Sequence, residues 1–274
     1  MPLTLAAPLV LVGAGNMGGA LLKGWLAQGL DPGLVVAIDP APPEPMRAML
    51  AGHGITCQAS APALPAPVAA IILAVKPQLM DEVAPKVAAL ASPGTVVLSV
   101  AAGRTIASLA RHFAPATAIV RSIPNTPAAV GRGITVAIAN REVTPTQRQL
   151  CDTLLAAVGD VAWVTEEHLI DAATAVSGSG PAYVFLLAEC LAEAGRAVGL
   201  APELAAQLAR ATVSGAGELM RQSDLSPGVL RQNVTSLKGT TAAALDVLMA
   251  GDGLQQLLTR AVAAAEKRAR ELSA

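Results

Sequence analysis

The sequence predicts an α/β chain in two parts, a parallel sheet domain over residues 1–164 and an all-helical domain over residues 165–274. Three observations carry this. Short apolar runs alternate with helical stretches through the first half, the first run turns at once into glycines and a helix, and no convincing strand follows Thr165. Alternating strand and helix is the pattern of a parallel sheet covered on both faces.

The first unit sets the rest. Leu9–Val12 reads as a buried strand and Gly13-Ala14-Gly15-Asn16-Met17-Gly18 as a tight turn, with a helix continuing through Trp25 and Leu26 until Gly29. In such a unit the first glycine permits the turn, the second lets backbone approach a pyrophosphate, and the third lets helix pack on strand. The helix start offers free N–H groups to that anion. A second apolar run, Leu34–Ile38, ends in Asp39, at the spacing where an acid accepts ribose hydroxyls. Strand, turn, helix and acid together make this a Rossmann-like dinucleotide site; a purely structural turn is the alternative.

The remaining elements follow in order. A proline turn after Asp39 leads to a helix over Glu44–Ala51 and a third strand at Ile55–Cys57. Ala59–Pro67 is read as a helix that its prolines disfavour. Val68–Val75 is continuously apolar, hence a buried strand, and stops at Lys76-Pro77. Gln78–Leu90 forms a helix with Pro85 inside it, Thr95–Val100 a strand, Arg104–His112 a helix and Ala118–Val120 a strand. Gly133–Ala139 and Val161–Val164, with helix Pro145–Val158 between them, complete the far side of the same sheet. Helices then cover Pro181–Val198, Pro202–Met220, Val229–Val234, Thr240–Leu248 and Leu254–Leu272.

Composition narrows the function. A net charge of -1 without a basic stripe argues against nucleic acid, and three scattered cysteines argue against a disulfide scaffold or a metal cluster. Met1–Leu22 is apolar but lacks a basic start and is interrupted by glycines, and no later stretch holds about 18 unbroken apolar residues. A soluble cytoplasmic protein with no membrane partner is expected. With 53% hydrophobic and only 14% charged residues, apolar surface exceeds what one subunit hides, so a homo-oligomer is expected.

Chemistry should sit past the carboxyl ends of the strands: at Lys76-Pro77, at Ala101-Ala102-Gly103 and at Ser122-Ile123-Pro124-Asn125-Thr126-Pro127. The last reads either as a stiff loop presenting Asn125 to a nicotinamide or as a merely rigid connection. Ser177–Tyr183 reads as an anion-binding helix start or as a close helix crossing. Val234–Thr241 opens into a helix, its hydroxyls and Lys238 holding a small carboxylate, or Thr240 or Thr241 simply capping it. His53, His112 and His168 have no dyad spacing. The lack of an acid suits a protonated imine, which already carries its proton and charge.

These motifs, in order along nearly the whole chain, resemble the pyrroline-5-carboxylate reductase family: Gly13–Gly18, Val75-Lys76-Pro77, Pro124-Asn125-Thr126-Pro127, Val176–Tyr183 and Val234–Thr241. The resemblance implies reduction of (S)-1-pyrroline-5-carboxylate to L-proline with NADH or NADPH. It implies Thr241 and Lys76 as catalytic residues, with Thr241 bonding near the substrate nitrogen. Ser236, Lys238, Gly239, Thr240 and Thr241 receive the substrate. Gly13, Gly15, Asn16, Met17, Gly18, Asp39, Val75, Lys76, Pro77 and Asn125 line the cofactor site. It also implies a dimer through the helical domains, assembled further into a decamer. The family's loop usually reads Ser-Pro-Gly-Gly-Thr-Thr, whereas Leu237 and Lys238 stand here for the proline and first glycine. Ser226 precedes Pro227 where a histidine is frequent. Asp39 with no cation in Pro40–Pro43 points to NADH, Arg47 being the one nearby cation. The alternatives are a reductase of a related cyclic imine, given Leu237 and Lys238; a two-domain hydroxyacid dehydrogenase, which would carry a lysine on the helix after Ser177, where none stands through Ala192; and a nucleotide sensor, which would bind without turnover.

Overall fold

The computed structural model describes residues 3–64 and 67–273. Strands β1 (Leu9–Val12), β2 (Val35–Ile38), β3 (Cys57–Gln58), β4 (Ala70–Leu73), β5 (Val96–Ser99), β6 (Ala118–Ile123), β7 (Gly133–Ala139) and β8 (Gly159–Trp163) form one sheet in the order β3-β2-β1-β4-β5-β6-β7-β8. The chain order reverses between β1 and β4, and at such a switch point the connections leave on opposite faces and open a crevice. Helices α1 (Asn16–Ala27), α2 (Glu44–Gly52), α3 (Met80–Val87), α4 (Ile106–Ala110), α5 (Pro145–Ala156) and α6 (His168–Ala173) accompany the sheet.

Strands β1, β4, β5 and β6 are buried throughout because both faces are covered. Alternate side chains divide between two cores. Leu9, Leu11, Ile72, Leu98 and Val120 pack with Leu21, Leu22 and Trp25 of α1 and Leu154 and Leu155 of α5. Val10, Val12, Ile71, Leu73, Val97 and Ile119 pack with Met80, Ala84 and Val87 of α3 and Leu109. Helix α1 lies close on the end of α5: a Cβ on Gly24 would fall 2.6 Å from the Ala157 carbonyl oxygen. Trp25 Nε1 donates to the Leu154 carbonyl at 2.8 Å.

Two expectations need correction. The pair β6–β7 is antiparallel within an otherwise parallel sheet, with Val120 opposite Ala139. Residues 124–132 are too few for a crossover, which needs about a dozen; they form a 3-10 turn, Thr126–Val130, closed by left-handed Gly131. No helix forms over 59–64, where prolines remove donors; Pro65 and Ala66, in the same expected helix, lie outside the described residues.

The chain separates into two compact units, Met1–Gly178 with Glu266–Ala274, and Ser179–Ala265. Helix α6 and the π-turn Thr174–Gly178 thus belong with the sheet, beyond the expected division at residue 164, because Ile170 packs with Ile123, Val136 and Ile138. In the second unit α7 (Gly180–Ala197) packs on α8 (Pro202–Gln222) through Gly195, whose Cβ would lie 3.2 Å from that of Ala205. Helices α9 (Pro227–Asn233), α10 (Thr240–Leu248) and most of α11 (Leu254–Ser273) complete it. His168–Ala197 is long and apolar enough to cross a membrane by length and composition alone. Ile170 of this stretch is buried, but many of its apolar side chains from Val176 on are exposed, Phe185 by 62% and Leu186 by 57%.

Arg121 of β6, 3% exposed, is the main buried charge of the sheet unit. It donates to Glu167 at 2.9 Å and to Asp171 at 3.1 Å, and Ser273 at the end of α11 donates to Asp171 at 3.1 Å. Removing one member of such a group strands the other charges away from water. Arg121→Met is therefore expected to lower the unfolding free energy by about 3 kcal/mol in urea titrations; a change below about 0.5 kcal/mol, the size of an ordinary surface substitution, would contradict this.

Candidate active site

The turn after β1 is built by contacts that exclude a side chain. Gly13 has φ 94°, and a Cβ there would lie 2.7 Å from the Ala74 carbonyl oxygen and 3.0 Å from Val75 Cγ1. A Cβ on Gly18 would collide with the Gly13 carbonyl at 2.1 Å. Gly15 differs, for a Cβ there would meet nothing within 4 Å. It is the N-cap of α1 and supplies no side-chain cap, so the N–H groups of Asn16, Met17 and Gly18 lack helical acceptors. Open space before an uncapped helix start fits a dinucleotide pyrophosphate.

Asp39 fastens this turn from β2. Its Oδ2 accepts from the Ala14 N–H at 2.7 Å and its Oδ1 from the Ala41 N–H at 2.9 Å. The carboxylate therefore organises the loop first, with its remaining lone pairs available to a hydroxyl. Arg47, the nearby cation named from the sequence, pairs with Glu44 at 2.6 Å. Lys23, which sequence reading missed, lines a cavity with Gly15, Asn16, Pro43 and Met46. Only the helical spacing from Asn16 would have marked it.

Past β4, Lys76 is exposed and precedes a 3-10 turn, Pro77–Leu79. Its ammonium has no ion-pair partner among the described residues. Gly13, Gly15, Gly18, Asp39, Val75 and Lys76 thus stand at or just past the ends of β1, β2 and β4, next to the switch point. Asn125 is 8% exposed and already engaged: Nδ2 donates to the Ser177 carbonyl at 3.0 Å and Oδ1 accepts from the Ile134 N–H at 3.0 Å. It pins the β6–β7 connection to the π-turn, with one N–H to spare. Ser177 spends its hydroxyl on the Ala173 carbonyl at 2.9 Å, and the chain runs from the π-turn into α7 with a break only at Ser179. The start of α7, read from sequence as an anion site or a close helix crossing, is thus nearly continuous with the π-turn, and Ser179 makes no side-chain cap bond.

In the helical unit, Ser236 accepts from the Gly239 N–H at 3.0 Å to close a tight turn, and a Cβ on Gly239 would lie 2.2 Å from Ser236 Oγ. Gly239, not a threonine, is the N-cap of α10, with no side-chain cap bond. The hydroxyls of Thr240 and Thr241 are thus not spent on capping, and the N–H groups of the first turn lack helical acceptors. Lys238 adopts φ 57°, a left-handed conformation that costs a non-glycine residue about 1–2 kcal/mol. Its ammonium has no ion-pair partner among the described residues.

The histidines stand elsewhere: His53 Nδ1 is paired with the Met49 carbonyl, His168 with Glu166, and His112 with Asp81 at 2.9 Å. Asp81 also accepts from Arg104 at 2.8 Å. The Arg104 bond, and after it the His112 bond, hold the Asp81 carboxyl below its ordinary value of 3.8. A carboxyl lowered in the native state contributes stability above its unfolded value and loses it as pH falls through the folded one. Asp81→Asn is expected to be less stable at neutral pH and to lose less further stability than the parent between about pH 5 and pH 2. Parallel losses in denaturant titrations would remove the Asp81 contribution.

Residues 167–272 match the family described as pyrroline-5-carboxylate reductase dimerisation, and residues 8–103 match that described as NADP oxidoreductase coenzyme F420-dependent. A pyrroline-5-carboxylate reductase of Pseudomonas aeruginosa is 38% identical over 266 residues, 97% of this chain and 96% of that one. The solved pyrroline-5-carboxylate reductase of Coxiella burnetii is 34% identical with a TM-score of 0.90, covering 98% of this chain and all of that one. A pyrroline carboxylate reductase of Plasmodium falciparum, solved with NADP bound, is 28% identical with a TM-score of 0.81, over 98% and 99% of the two chains. Relatives of one name thus match this chain from end to end, in sequence and in fold, and the chain belongs to the pyrroline-5-carboxylate reductase family.

Proposed function

We propose that this chain reduces (S)-1-pyrroline-5-carboxylate to L-proline, with NADH preferred over NADPH, as a dimer formed through its helical unit and assembled further into a decamer. The observation that carries the reaction is the end-to-end match to reductases of that one name. A bound nicotinamide cofactor supplies the reducing equivalent. Gly15 and the start of α1 hold its pyrophosphate, Val75-Lys76-Pro77 bound its cleft, and Lys76 places a cation there.

The helical unit receives the substrate. The Ser236–Thr240 turn and the first N–H groups of α10 bind the carboxylate, with the Lys238 ammonium beside them. The strain held at Lys238 agrees with a cation retained for that charge. The Thr241 hydroxyl orients the ring nitrogen. A protonated imine needs no strong acid, so orientation and exclusion of water carry the reaction.

Asp39 supports NADH, because a 2′-phosphate would meet its carboxylate and Arg47 is occupied by Glu44. Lys23 favours NADPH, as do the NADP bound in the Plasmodium falciparum relative and the match to an NADP oxidoreductase family. Exposed Val184, Phe185, Leu186 and Leu187 on α7 support burial of that helix against a second copy.

Thr241→Ala is expected to lower kcat about tenfold to a hundredfold while NADH affinity holds; equal loss of both would remove its orienting role. The kcat/KM for NADH is expected to exceed that for NADPH, and the reverse ratio would assign the 2′-phosphate to Lys23. Phe185→Arg is expected to shift sedimentation from the decamer built of dimers to monomer; a monomeric parent chain would contradict the interface.

A further inference from the structure

We propose that Arg104 is a positioning residue for the cofactor-binding segment Val75-Lys76-Pro77, acting through the carbonyl of Pro77 without touching cofactor or substrate. The inference rests on the reading of Lys76-Pro77 given above. Between Ala74, which donates to Val12 of β1, and buried Met80, the chain leaves the sheet and is largely exposed. Among the described residues, the side-chain bonds to the backbone of this stretch come from Arg104 alone. Its Nε donates to the Pro77 carbonyl at 2.9 Å and its Nη2 to the same oxygen at 2.5 Å.

Other groups aim the guanidinium. Nη2 also donates to Asp81 Oδ2 at 2.8 Å, and the other Asp81 oxygen pairs with His112 Nε2 at 2.9 Å. The Arg104 side chain is 17% exposed and that of His112 14%, so both are held against the protein. The segment is thus gripped at two places. On the β1 side Ala74 is bonded to the Val12 carbonyl at 2.8 Å and Gly13 leaves no room for a Cβ beside it, and Arg104 holds the Pro77 carbonyl from the α4 side, with Val75 and Lys76 between. A planar fork places two donors on one acceptor and still reaches a carboxylate; a lysine, a point donor, cannot do all three. Losing the grip frees Lys76 to move relative to the glycine turn, and a displacement near 1 Å suffices to weaken a bound ligand.

The test uses the full-length protein with Arg104→Ala, Arg104→Lys and Lys76→Ala, reading NADH dissociation constants by fluorescence titration together with kcat, cofactor KM and thermal midpoint. Arg104→Ala is expected to raise the NADH dissociation constant and KM about tenfold with kcat nearly unchanged. Added guanidinium ion at non-denaturing concentration is expected to restore part of the affinity, and Arg104→Lys to fall between parent and Arg104→Ala. If Arg104→Ala does not fold, Arg104→Lys carries the test, since it keeps the charge beside Asp81 but not the paired donors. Weakened NADH binding in Lys76→Ala with parental binding in the Arg104 variants would overturn the positioning role alone. Parental binding in Lys76→Ala would instead overturn the site reading beneath it.

Discussion

The approach of the β1 turn to the end of β4 is the constraint on which the site depends. Gly13 lies so near the Ala74 carbonyl that any side chain would push the strands' ends apart. That contact sets the width of the crevice where the sheet order reverses, leaving Gly15 facing open space and α1 with uncapped N–H groups. Asp39 supports the same turn from the other side by accepting from Ala14 and Ala41. The proposed dinucleotide site is made by backbone held in place, more than by side chains reaching for a ligand.

Features set by local pattern were legible in the sequence. Buried strands appear as unbroken apolar runs, and the glycine turn has a spacing that only a strand–turn–helix unit requires. The antiparallel β6–β7 pair was less visible, because its direction follows from how few residues join the strands. Arg121 gave no local sign at all, since its carboxylates lie at 167 and 171 and its neighbouring hydroxyl at 273. Asp39 and Asn125 were expected at the site for a ligand, yet in the structure both hold backbone, which only distant partners reveal.

The Ser236–Thr240 turn shows how structure explains a family pattern. The backbone at Lys238 is left-handed, which accounts for the glycine usual there in the family. This chain keeps the conformation and adds a cation beside the start of α10. The exposed apolar surface of α7 has a similar logic: composition indicated an excess of hydrophobic residues, and the structure locates it on helices matching a dimerisation family.

The most direct measurement is a crystal structure of the protein with NAD+ and L-proline. The account requires the proline carboxylate on the Ser236–Thr240 turn, its ring nitrogen at the Thr241 hydroxyl, and the nicotinamide carbon that exchanges hydrogen stacked over the ring. A structure with both ligands bound but the Ser236–Thr241 turn remote from the nicotinamide would contradict it.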